Sequence, residues 1–97
     1  MTRAPLQETL RQAAITGAAL RVLHLNWPQA TDLSPPMLGL ATGDDDRLFV
    51  QAIRALVDEG LVSIEALLIG VGDHPLARGA LLTHKAVATL EQVTRPM

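Results

Sequence analysis

The stretch from Asp44 to Val62, DDDRLFVQAIRALVDEGLV, reads as one helix with a marked start and a marked stop. Asp44, Asp45 and Asp46 offer an N-cap and negative charge against the positive end of a helix dipole. Gly60 supplies the left-handed residue that ends helices, and Leu61-Val62 leaves in an extended direction. Between these ends Leu48, Phe49, Ala52, Ile53, Leu56 and Val57 fall on one side at helical spacing. The other side carries Arg47, Gln51, Arg54 and Asp58 as one polar row. Arg and Gln are the side chains that make bidentate contacts to guanine and adenine in a major groove. The same row is also what any amphipathic helix turns toward water.

Working outward, 97 residues make a single domain with one modest core. Hydrophobic residues reach 48% and charged ones only 19%. So apolar a composition in so short a chain predicts surface covered by a partner or a second copy. No run approaches the roughly 18 uninterrupted apolar residues of a membrane span. The opening MTRAPLQETLRQ lacks the apolar core of a signal peptide. Cysteine is absent, which excludes disulfides, zinc ribbons and thiol catalysis and fits a cytoplasmic location. The formal net charge of −2 weighs against a dedicated nucleic-acid binder, and the bases are scattered while the acids cluster.

Upstream, Pro5 suits a first helical turn, and Leu6, Leu10, Ala13 and Ala14 form a narrow apolar stripe. Thr16-Gly17 is a weak break. Thr16 can cap a second helix from Ala18 to about Asn26, with Leu20, Val22, Leu23 and Leu25 apolar; one helix running through Gly17 is the alternative. Trp27-Pro28 ends it, and Gln29 to Leu33 is expected to be a loop. Ser34-Pro35 opens a short helix through Ala41, and Thr42-Gly43 turns into the central helix. Downstream, Leu61 to Ile69 alternates as a strand, with Val62, Ile64, Ala66 and Leu68 on one side. Gly70 to Pro75 is turn material, and Ala80 to Leu82 forms a short returning strand. Thr83 caps a last helix with Ala86, Val87, Leu90 and Val93 inward.

Three segments in this order resemble the winged helix-turn-helix superfamily of small bacterial regulators. LRVLHL (20–25) is similar to that family's first helix. AIRALVDEGLVS (52–63) is similar to the end of its recognition helix running into the wing. GALLTHKAVATL (79–90) is similar to its second wing strand entering the final helix. Two departures show: His84 and Ala86 stand where many relatives carry Pro and Gly, and Asp44 to Asp46 put acid where relatives often carry Ser or Thr near a phosphate. The resemblance implies a mainly α fold with a small β-hairpin wing. The two apolar periods, helical and strand, predict about four or five helices and one core holding Phe49, Ile53, Leu56, Val62, Ile64, Leu82, Val87 and Leu90. Residues 16–97 would form the winged-helix domain, with helix 1–15 as a possible dimerisation element in a homodimer.

The resemblance further implies that Arg47, Gln51 and Arg54 enter the major groove, that Arg78 in the wing loop reaches a phosphate or the minor groove, and that Ser34 bonds a phosphate. The three aspartates lack the spacing of a calcium loop. His24, His74 and His84 lack metal-ligand spacing, and Gly70-Val71-Gly72 is not a dinucleotide fingerprint. No catalytic constellation, cofactor or metal is expected, and the chain is not expected to be an enzyme. Two function classes remain: a DNA-binding transcriptional regulator, and a winged-helix module for protein–protein contact. The Arg-Gln-Arg row favours the first.

Overall fold

The computed structural model describes residues 6–40 and 43–94. Pro5, Ala41 and Thr42, and the side chains of Asp44 and Val93, lie outside the described residues. In chain order come α1 (Leu6–Asn26), β1 (Thr31–Leu33), a 3₁₀ turn (Pro35–Leu38), α2 (Gly43–Asp58), β2 (Val62–Ser63), β3 (Ala66–Leu68), β4 (Leu76–Leu82) and α3 (His84–Thr94). The class is α+β: the described residues form three α-helices and a four-stranded antiparallel sheet.

The first helix does not break at Thr16-Gly17. It runs unbroken for 21 residues, so the helix count falls below the expected four or five. One internal glycine costs a helix only ~1 kcal/mol, and the burial on either side of it exceeds that. The inward stripe is Ile15, Ala19 and Leu23, spaced by four, while Leu6, Leu10 and Leu25 are exposed. Trp27-Pro28 does end the helix. The Trp27 indole N–H then donates to the Leu82 carbonyl at 3.3 Å and its ring meets His84 edge-on, tying this end of α1 to the sheet.

Residues 31–33 are a strand, not a loop, and the short helix after Ser34 is a four-residue 3₁₀ turn closed by Gly39 at φ 78°. Ser34 is extended and its side chain makes no cap hydrogen bond. The central helix begins at Gly43, so the three aspartates occupy its first turn rather than its cap. Its end follows the expectation closely. Gly60, at φ 75°, donates its N–H to the Val57 carbonyl, and Leu61 donates to the Leu56 carbonyl, both at 3.0 Å. That is the Schellman closure for which glycine is selected. Leu48, Phe49, Ala52, Ile53 and Leu56 are buried; Val57, at the margin of the stripe, is exposed.

β4 is the central strand and starts at Leu76, four residues before the expected Ala80. On one side it pairs with β2 (Val62↔Leu82) and β3 (Ala66↔Arg78, Leu68↔Leu76), the two halves of the expected strand, which is interrupted at Ile64-Glu65. On the other side it pairs with β1, Thr31↔Ala80 and Leu33↔Ala77. Two residues of β4, Arg78 and Gly79, therefore stand against Asp32 alone, which is a β-bulge. Gly79 adopts φ 63° and donates its N–H to the Asp32 carboxylate at 2.8 Å. Arg78 thus lies in a strand rather than in a loop; the glycine that signals a turn locally is here the bulge that lets the strand continue.

Thr83 joins the two later helices. Its backbone N–H donates to Leu61, its hydroxyl donates to the Gly60 carbonyl at 2.7 Å, and the same oxygen accepts the Ala86 N–H at 3.2 Å. Lys85 donates to the Glu59 carbonyl at 3.0 Å. The carbonyls just past the end of α2 and a first N–H of α3 are satisfied together. The core collects Ile15, Leu23, Leu33, Phe49, Ile53, Leu56, Val62 and Leu82 from all these elements; Ile64 and Leu90 pack at its edge.

Gly79→Ala should lower the unfolding free energy by about 1–2 kcal/mol, the cost of a left-handed conformation to a residue with a Cβ. The new methyl would sit 2.6 Å from a Glu65 carboxylate oxygen. Glu65 is exposed and can swing aside, so a Glu65→Ala, Gly79→Ala double variant should keep most of the loss. A urea midpoint unchanged by Gly79→Ala would contradict the bulge.

Candidate nucleic-acid interface

Because α2 buries Leu48, Phe49, Ala52, Ile53 and Leu56, the residues opposite them are presented outward as a set. Arg47, Gln51, Arg54 and Asp58 are all exposed, in the row their spacing predicts. Their surroundings differ. Arg47 Nη2 donates to Glu8 Oε2 of α1 at 2.9 Å. Arg54 makes no ion pair among the described residues, and Asp58 brings one negative charge to the C-terminal end of the row. Arg78 stands on β4 with Glu65 at 4.0 Å; both are largely exposed, so the pair is weak and screened. Ser34 precedes a 3₁₀ turn too short to concentrate a helix dipole.

The first turn of α2 is an electrostatic junction. Asp45 is buried and paired with Arg11 of α1. Asp46 accepts from His74 Nδ1 at 3.1 Å, which draws the loop between β3 and β4 onto the helix start. Between that loop and the helix lies a cleft of about 270 Å³ with Asp46, Arg47, Val50, Ile69, His74 and Pro75 in its walls. From the sequence alone the acids are capping charges and His74 is a turn residue. Their pairing was not legible, since the partners lie 34, 39 and 28 residues apart and no local rule links them. Once paired, Asp45 contributes little free negative charge to the surface, because its carboxylate is enclosed and faced by a guanidinium.

Chemically the row offers hydrogen-bond donors from two guanidiniums and both a donor and an acceptor from Gln51, the set that reads purine edges. Among the described residues no group of three His, Asp or Glu is placed to hold a metal ion. His84 lies against Trp27 while His74 lies on Asp46. No described helix is long and apolar enough to cross a membrane. No family model, curated protein or solved structure matches the chain.

The His74–Asp46 contact is the polar link between the loop and α2. His74→Ala should therefore speed amide exchange across residues 69–74 while changing global stability by less than about 1 kcal/mol, as befits an exposed pair. Exchange in the loop unchanged from the parent chain would show that apolar packing of Ile69 and Pro75 holds it instead.

Proposed function

We propose that this chain is a winged-helix DNA-binding protein that acts as a transcriptional regulator in the cytoplasm, with α2 as recognition helix and the β3–β4 hairpin as wing. The observation that carries this reading is the outward row Arg47-Gln51-Arg54 on a helix whose opposite side buries Leu48, Phe49, Ala52, Ile53 and Leu56 in the core. Element order adds support. A strand between the first helix and the turn joins the same sheet as the hairpin, and the hairpin loop is pinned beside the start of α2. An α-helix fits the B-DNA major groove, and side chains on its outer face reach base edges there.

A second reading has its own support. Arg47 and Arg78 each face an acid, and Ile69 and Val71 on the hairpin loop are 54% and 76% exposed. An apolar, charge-balanced wing suits a protein partner better than a phosphate backbone. The chain is then a protein–protein module on the same fold.

Assembly follows from α1. Leu6 and Leu10 are 73% and 59% exposed, on the helix half that packs least into the core. We place the interface of a homodimer there. Leu6→Glu with Leu10→Glu should convert a dimer to a monomer in sedimentation at micromolar concentration; a parent chain already monomeric would refute the interface.

For DNA, a preferred site selected from random duplexes separates the roles. Arg54→Ala, Gln51→Ala or Arg47→Ala should cost ~1–3 kcal/mol on that site and little on random sequence. Arg78→Ala should weaken both alike and lower the salt slope by about one unit. A parent chain that ignores every duplex at low salt leaves the protein-partner reading.

A further inference from the structure

The junction at the start of α2 holds two ion pairs from α1 that differ in kind. Glu8 and Arg11 are three residues apart and so share a face of α1. Arg11 engages Asp45, whose side chain is only 9% exposed. Glu8 engages Arg47, and here both partners remain open to solvent, at 31% and 46%. The first pair is enclosed on its acid side and locks α1 against α2. The second is carried into place by that lock but stays wet, and exposed pairs of this kind are easily exchanged.

A carboxylate accepting from an arginine Nη at 2.9 Å uses the same donor that a phosphate oxygen or the guanine O6/N7 edge would take. It also sets a negative charge where the duplex backbone must approach. Arg54, two turns along the same row, has no such acid among the described residues. We infer that Glu8 is an intramolecular mask for Arg47: an acid presented by α1 that competes with nucleic acid for the first arginine of the row. This rests on the proposed reading of α2 as the DNA-binding face and adds a regulatory element to it. Moving the N-terminal half of α1 away from α2 removes that competitor, and holding it there keeps the competitor on Arg47.

The test compares the parent chain with Glu8→Gln, Glu91→Gln and Glu8→Gln/Arg47→Ala, by anisotropy of a labelled random-sequence duplex across a salt series. Glu91 is exposed on α3, so Glu91→Gln reports the same change of net charge away from the row. Glu8→Gln should tighten binding about three- to tenfold at low salt and steepen the salt slope by about one unit, the order of one added phosphate contact. Glu91→Gln should leave both nearly unchanged, and the gain should vanish when Arg47 is also removed. If the parent chain binds but Glu8→Gln tightens it no more than Glu91→Gln, the mask is refuted and the DNA reading stands. A gain that survives removal of Arg47 also refutes the mask, since the charge alone then accounts for it. If neither the parent chain nor Glu8→Gln binds duplex at low salt, both the mask and the DNA reading fall.

Discussion

One strand has to serve two neighbours that do not share a register. β4 keeps a constant pairing with β2 and β3 along its length, but its pairing with β1 shifts by one residue between Thr31 and Leu33. The bulge at Arg78-Gly79 absorbs that shift. Without it, either β1 would slip and turn Leu33 out of the core, or β4 would lose alignment with the hairpin arm. Leu33 is fully buried, and so are Ala77 and Ala80 on either side of the bulge. The small side chains of the central strand leave room for α1, which packs on both β4 and α2. The placement of the helices over the sheet thus depends on a single glycine at positive φ with an aspartate to receive its N–H.

What the sequence discloses and what it hides divide along the reach of the forces involved. The end of α2 at Gly60, the cap at Thr83, the helix stop at Trp27-Pro28 and the inward set of α2 all depend on neighbours within a turn or two, and all were readable. β1 was not. Thr31-Asp32-Leu33 has neither length nor apolar alternation, and it becomes a strand only because β4, more than 40 residues on, supplies its partner groups. The sequence leaves the continuity of α1 open, as one of two alternatives, for a related reason. Gly17 is an intrinsic weakness, and only the burial of Ile15 on one side and Ala19 and Leu23 on the other overrides it.

The outward row shows the same division. That Arg47, Gln51 and Arg54 share a face follows from helical periodicity alone. Which of them meets an acid does not. Glu8 and Arg11 arrive at α2 because α1 packs against it, and His74 arrives because the hairpin folds back. A formal net charge of −2 counts each acid as though it were loose in solvent. In the folded chain Asp45 is enclosed beside Arg11, and α1 brings Glu8 against Arg47. Composition counts charges; the fold decides which of them a ligand meets.

The hydroxyl of Thr83 has an implication for the order in which the chain acquires its structure. α3 has 11 residues, too few for a helix to persist alone in water. Its cap is the same group that closes the end of α2, and it reaches Gly60 only after β4 has zipped onto β2. The C-terminal helix is therefore conditional on the hairpin. Helix and hairpin should melt as one unit, and a nascent chain still lacking β4 has nothing on which to seat its last helix.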